Sequence, residues 1–383
     1  MSKKVLKKFF LIGVVLTLLL PMLAACGAAK SATSSSAKTA NTAKSTKKNA
    51  DKVTIKDAAD RKVEIPAPDK IKKVFFTSPL GMIYIYTLVP DKLAGLPYDL
   101  RPGEKKYLLP QLQKLENLGG MQSGSKMNIE KIVESGAQII FSIGPNKIDD
   151  NAISEADKLQ NQTKIPVVTV DGSMEKVEES YQLLGKIFGK EKEAKKLSDY
   201  CEKVLKDVKE KVATIPEDKR VSVYYAEQAD GLTTEPETSS HAAALKIAGA
   251  KNVASVEEKA GSGMSKVSLE QVITWNPEVI ITWGEDMGGA YSKITTDPNW
   301  ANIKAVKDGR VYVMPGSPYN WIDRPPSVNR FLGIQWIANL LYPDVYKIDI
   351  VKQTKEFYSL FYHKDLTDDE VNELLAHSVN QAE

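Results

Sequence analysis

Only three histidines and two cysteines occur among 383 residues. That scarcity removes much of the catalytic and metal-binding repertoire at the outset. The chain has no Gly-x-Ser-x-Gly, no His-Glu-x-x-His and no Gly-x-x-x-x-Gly-Lys-[Ser/Thr]. A hydrolase elbow, a zinc-protease helix and a phosphate-cradling loop are therefore all missing, and no enzyme activity is expected. No cluster of histidines and carboxylates stands at ligand spacing along the chain, which argues against a bare-metal site. One-sided charge is lacking too. Four of the 52 Lys and Arg precede Cys26, where there is no acid, and the other 48 face 49 Asp and Glu. Such a balance gives no basic footprint for nucleic acid.

Long apolar runs are also scarce. Phe9 to Leu20 is almost unbroken, but it falls short of the roughly 18–20 residues that span a bilayer unaided. Lys3, Lys4, Lys7 and Lys8 precede it, and Leu23-Ala24-Ala25-Cys26 follows. This is the layout of a cleaved signal peptide over residues 1–25. The Leu-Ala-Ala-Cys run resembles the lipobox of bacterial lipoproteins. That resemblance implies acyl lipid (palmitate) on Cys26 and attachment to the extracytoplasmic face of the cell membrane, as in a Gram-positive cell. Two acyl chains suffice for stable anchoring. Cys201 then has no internal disulfide partner and reads as a small buried residue in a helix. Gly27 to Ala50 are built from Gly, Ala, Ser, Thr, Lys and Asn with no large apolar group to bury, which predicts a flexible tether over residues 26–52 behind the lipidated Cys26.

Beyond the tether the periodicity is regular. Val74 to Thr77, Ile139 to Ile143 and Val167 to Val170 read as short buried strands separated by helical stretches. The same alternation returns at Val221 to Ala226, Val279 to Thr282 and Val311 to Met314. Parallel sheets covered on both faces are expected. The spacing predicts an N-terminal α/β lobe over 53–172, a helical region over 173–218 and a C-terminal α/β lobe over 219–345. A charged helical appendage over 346–383, packed on one lobe, would complete the chain. Gly185 and Gly189 should break the middle region, leaving Glu191 to Ala213 as one long helix of roughly 35 Å between the lobes. An internal repeat supports two related lobes. Met127 to Gly144 matches Val267 to Gly284 at a constant offset of 140, without a gap. Each copy is a capped helix, a turn and a strand ending in Gly; Glu130 and Glu270 occupy the first helical turn, where a carboxylate suits the helix dipole.

Together these features resemble the solute-binding proteins of the ABC importers for iron–siderophore, haem and cobalamin. The resemblance covers nearly all of Val53 to Pro343. It rests on Asp57 to Pro66, on the repeat, on Ser239-Ser240-His241 leading to Leu245 to Val253, and on Trp321-Ile322-Asp323-Arg324-Pro325-Pro326. It implies two Rossmann-like lobes joined by one long rigid helix, with the ligand cleft between them at the carboxyl ends of the strands. It implies a monomer whose partners are a permease of the siderophore–cobalamin importer type, its ATPase, and a metal-chelate ligand. The ligand is expected to be an iron complex, ferric siderophore first, with haem, cobalamin and nickel or cobalt chelates as alternatives. A sensor lipoprotein that keeps the fold without transport is the other class. Glu130 and Glu270 match the family's permease-docking glutamates. Cleft loops offer Arg324 as the partner of an anionic oxygen, beside a helix expected over Ser327 to Leu341, or as an ion pair with Asp323. Trp321, Tyr319, Tyr98, Trp283 and Met121 would cover apolar parts of the cargo. His241 is a possible metal contact or a helix cap.

Overall fold

The computed structural model describes residues 51–380, apart from 122, 123, 125, 146, 147 and 259–262. Cys26, the signal segment and nearly all of the tether lie outside the described residues. The described chain opens with an antiparallel pair, β1 (Lys52–Lys56) and β2 (Lys62–Pro66). The three strands read from the hydrophobic runs then form one parallel sheet in the order β3 (Val74–Phe76), β4 (Ile139–Gly144) and β5 (Val167–Asp171). Helix α1 (Pro79–Leu88) starts at the carboxyl end of β3, where the Ser78 hydroxyl caps Gly81 N at 3.2 Å. Every residue of α1 after Pro79 is buried, so its sequence is apolar on all sides and shows no amphipathic stripe. Next come α2 (Pro102–Tyr107), α3 (Ile129–Glu134) and α4 (Asp150–Thr163).

Two antiparallel helices follow: α5 (Val177–Phe188) and α6 (Glu191–Val212). Gly189 ends α5 in the left-handed region, at φ 63°, as expected of a glycine C-cap. Gly185 departs from the expectation and stays inside α5. A Cβ there would stand 2.8 Å from the Ala194 Cβ, so this glycine is used for close helix packing rather than for breaking the chain. Helix α6, 22 residues long and roughly 33 Å by helical rise, packs on α5 and on two helices of the C-terminal half. Cys201 is fully buried within it.

The second sheet has strand order β11-β10-β6-β8 and is parallel throughout: β6 (Ser222–Ala226), β8 (Lys251–Asn252), β10 (Val279–Trp283) and β11 (Val311–Met314). A small antiparallel pair, β7 (Thr233–Thr234) with β9 (Ser265–Lys266), sits beside it. Its helices are α7 (Ala243–Ile247), α8 (Leu269–Trp275), α9 (Tyr291–Thr296), α10 (Lys304–Lys307) and the almost wholly buried α11 (Asn329–Leu341). The internal repeat folds alike in both halves. Asn128 caps α3 through Lys131 N at 3.1 Å, and Ser268 caps α8 through Gln271 N at 3.3 Å. Gly136 and its counterpart Asn276 both have positive φ, at 77° and 43°, in the turn that leads to the strand.

The C-terminal region departs most from expectation. It was expected to pack on one lobe, and it touches both. Ile350, Thr354, Phe357, Tyr358, Phe361 and Tyr362 form one buried stripe along α12 (Ile350–Tyr362), at the i, i+3, i+4 spacing of a core-facing helix. The Tyr86 hydroxyl, on α1, donates to Tyr362 O at 2.8 Å, and the His363 ring meets Tyr86 O at 3.2 Å. On the other side, Tyr358 donates to Ser317 O, and Tyr362 pairs with Asn329. Phe357 and Phe361 also meet Tyr200 of the connecting helix, with ring centroids 5.9 and 5.5 Å away. A final short helix, α13 (Asp368–Leu374), leads into a segment whose His377 O accepts from Val313 N at 2.8 Å. The two halves are thus joined by α6 and clamped again by α12.

Candidate functional site

Parallel sheets place their ligand-facing loops beyond the carboxyl ends of the strands, and both sheets present such a face. In the N-terminal half, a cavity of about 260 Å³ opens past β3 and β4, lined by Thr77, Ser78, Met121, Ser142 and Ile143 among others. Ser78 ties that floor together by donating to Ile143 O at 3.0 Å. Met121 is 37% exposed, unusual for a large apolar side chain beside a polar cavity.

The C-terminal half holds a network of charge at the ends of β6 and β10. Glu227 directly follows β6, and Trp283 is the last residue of β10. The Trp283 indole donates to the Tyr225 hydroxyl at 2.7 Å, and that hydroxyl donates to Asp323 Oδ1 at 2.9 Å. Arg324 sits between three carboxyl groups. Its Nη2 lies 2.5 Å from Glu235 Oε1, and its Nε lies 3.1 Å from both Glu227 Oε1 and Asp323 Oδ2. Its guanidinium also lies 5.6 Å from the centre of the Trp283 ring. His241 Nδ1 is 3.2 Å from Asp323 Oδ2. Burial alone would disfavour the charge of Arg324, but Asp323 and Glu227 outweigh it and hold the guanidinium firmly protonated. Burial and then the Asp323 charge push the Glu227 carboxyl up to about 9, against the pull of Arg324.

Local structure explains this convergence. Asn320 Oδ1 accepts from Ile322 N and Asp323 N at 2.7 and 2.9 Å, turning the chain so that Asp323 faces Tyr225. Arg330, buried in α11, donates to Ile322 O at 3.0 Å and to Ser240 O at 2.7 Å, tying the Asp323 loop to the His241 loop. Burial lowers its own pKa to about 10. The Glu235 carboxylate accepts from the Ser239 hydroxyl at 2.7 Å and from Met264 N at 2.8 Å. A Cβ at Gly263 would fall 2.2 Å from Glu235 Oε1, and this residue has φ +64°, so only glycine suits the approach.

The expected site residues separate into groups. Arg324, His241 and Trp283 come together. Tyr319 and Trp321 are fully buried, with Tyr319 against Tyr362 and Trp321 against Trp336, so their rings serve core packing. Tyr98 donates to Glu104 Oε1 at 2.7 Å, and Arg101 pairs with the same carboxylate. Helix α11 begins at Asn329, later than Ser327, and the Arg324 side chain goes to the acid cluster. Glu227, Glu235, Asn320 and Arg330 were not singled out in the sequence. Their only signal was polarity between apolar runs, and distant pairing decides it.

Comparison with known proteins settles what kind of protein carries this geometry. A family described as periplasmic binding protein matches residues 120–318. The chain belongs to this family. A solved ABC transporter solute-binding protein from Sulfurospirillum deleyianum is 31% identical, covering 84% of this chain and 98% of that one, with a TM-score of 0.76. The molybdate-binding protein MolA of Haemophilus influenzae is 26% identical over 82% of this chain and 91% of its own length. An ABC transporter substrate-binding lipoprotein of Bacillus subtilis, YvrC, is 28% identical over 77% and 87%. This chain is a solute-binding protein of an ABC transporter, not an enzyme. Such a protein works with a permease and its ATPase. Among the described residues, no helix is long and apolar enough to cross a membrane.

Proposed function

We propose that this solute-binding protein is held at the outer face of the cell membrane by lipid on Cys26, and that it captures an iron complex and passes it to a permease. The cargo is a neutral or cationic ferric chelate, such as a trihydroxamate complex. The observation that carries this reading is the charge of the C-terminal wall: the Glu235 and Asp323 carboxylates, with the Glu227 carboxyl group beside them, surround the single guanidinium of Arg324. A surplus of buried carboxyl groups repels a bare oxyanion or a trianionic tricatecholate. Met121 and Trp283 supply apolar contact, and His241, oriented by Asp323, supplies a ring nitrogen toward the metal complex. Haem, cobalamin and nickel or cobalt chelates are the competing cargoes. MolA is named for binding molybdate, which makes that oxyanion the natural comparison.

Glu130 and Glu270 are both exposed at the second position of equivalent helices, as two matching contacts for a permease require. Residues 26–52 tether the body near that permease and raise its effective concentration there. Protein isolated from its native medium should show a broad visible charge-transfer band with iron by metal analysis. A Soret band would mean haem instead. Titration of intrinsic fluorescence with a ferric trihydroxamate should saturate at one equivalent, and molybdate should not compete. Tight molybdate binding without chelate binding would overturn the cargo assignment. For docking, the Glu130→Ala, Glu270→Ala double variant should lose permease capture while keeping cargo affinity; unchanged capture would refute the glutamates' role.

A further inference from the structure

The sequence shows no clustered metal ligands, yet folding assembles a set. Glu235 and His241 stand six residues apart in the stretch between β7 and α7, Asp323 comes from the loop before α11, and each offers a ligand atom within 4.8 Å of the others. We propose that these three residues form a binding site for a divalent transition-metal ion in the C-terminal half. The site stands on the chemistry of the cluster and does not require that a chelate enter the crevice.

Four observations converge on it. First, the donor set is one imidazole and two carboxylates, which suits Zn²⁺, Ni²⁺ or Co²⁺ and departs from the all-oxygen shells of Mg²⁺ and Ca²⁺. Second, the donors are oriented by neighbours outside the set. The Ser239 hydroxyl and Met264 N hold Glu235, and the Tyr225 hydroxyl holds Asp323, the kind of outer support that metal ligands generally carry. Third, Glu227 Oε2 is buried without a hydrogen-bond partner, while its other oxygen takes Arg324 Nε at 3.1 Å. A buried carboxyl group normally satisfies both oxygens, so this open oxygen beside Arg324 leaves a place for a further polar partner at the edge of the cluster. Fourth, the Glu235 and Asp323 side chains are fully buried while that of His241 is 19% exposed, so an ion can enter past the imidazole.

Arg324 already supplies one positive charge to these carboxyl groups, and it is the alternative to an ion. With a metal bound, the guanidinium would keep Glu227, and Glu235 and Asp323 would turn toward the ion with small side-chain rotations.

The test uses the full folded chain, stripped with a chelator and dialysed. Zn²⁺, Ni²⁺ and Co²⁺ alone are titrated calorimetrically, and the visible spectrum of the Co²⁺ form is recorded. One ion per chain should bind, with a Co²⁺ ligand-field band. His241→Ala and Asp323→Asn should each weaken binding on the order of 10–100-fold or more. Tyr225→Phe, which removes support without removing a ligand, should weaken it about tenfold. Circular dichroism and melting identify any variant that has merely unfolded, and His241→Ala, at a partly exposed position, provides the arm least exposed to that failure. No stoichiometric binding by the wild type, or affinity unchanged in folded His241→Ala, would overturn the site. Ferric trihydroxamate is titrated separately. Ion binding without chelate binding would sink the cargo reading and leave this site standing, and the reverse would sink this site alone.

Discussion

The clamp formed by α12 makes a quantitative prediction at Phe357. Its ring is fully buried and stacks on Phe361 at 4.4 Å, with Tyr362 at 5.5 Å and Tyr200 at 5.9 Å. Phe357→Ala removes an aromatic ring whose burial contributes about 1.5–3 kcal/mol. It also leaves a void on the order of 80 Å³, which at about 24 cal/mol per Å³ adds roughly 2 kcal/mol. The expected loss is about 4 kcal/mol, within the range seen for buried Phe→Ala changes. For about 330 folded residues the unfolding entropy is near 0.7 kcal/mol per degree, so the midpoint should fall by roughly 6 °C. Val345, 41% exposed just before the segment, is the control: Val345→Ala should stay within about 0.5 kcal/mol. Calorimetry and urea unfolding, followed by circular dichroism and Trp fluorescence together, measure the difference. If α12 belongs to the common core, all probes fall together. A loss under about 1 kcal/mol, or a separate early transition confined to the C-terminal region, would refute the clamp.

Glu227 predicts a pH effect. Its folded pKa, near 9, exceeds the ordinary carboxyl value. Stability from its neutral form is therefore full below about 4.5 and is lost as pH rises toward 9, by up to about 1.4 kcal/mol per pH unit. Glu227→Gln keeps the neutral shape, so in metal-free protein its urea midpoint should gain on the wild type between pH 5 and 8; parallel curves would refute the buried neutral carboxyl. Gly185→Leu should force α5 and α6 apart, because even a Cβ stands 2.8 Å from Ala194. A loss of about 1–3 kcal/mol is expected from such overpacking, and an unchanged melting temperature would contradict the tight crossing. Arg324→Met should cost about 3–5 kcal/mol by leaving buried carboxyl groups uncompensated, with a larger deficit at pH 8 than at pH 5, measured by the same denaturation series.

Much of the architecture was legible because it is local. The six apolar runs became strands within a residue or two, since an uninterrupted β-branched run between helical stretches has few other ways to bury itself. The internal repeat was equally direct: Asn128 and Ser268 cap their helices as read, because a cap is a contact between residues three apart. Gly185 shows the limit of local reading. A glycine in a helical stretch signals a break or a close approach, and the choice rests on Ala194 of the following helix.

The site was legible only in outline. His241 and Arg324 stood out by rarity and by their motifs, and both lie in the cluster. Tyr319 and Trp321 had equal claim from the sequence, yet α12 and Trp336 cover them. Sequence alone determined the alternation of strands and helices, the repeated half, and the near-absence of ready-made catalytic and metal motifs. Tertiary structure decided which polar residues share a charge. Glu227 and Glu235, eight residues apart, meet Asp323-Arg324 from almost ninety residues further on, because β6 and the short β7 that turns back beside it deliver both glutamates to the edge that the loop before α11 reaches. Tertiary structure also decided that the last helix closes both halves, since a buried stripe declares that a helix must be covered but not which lobe will cover it.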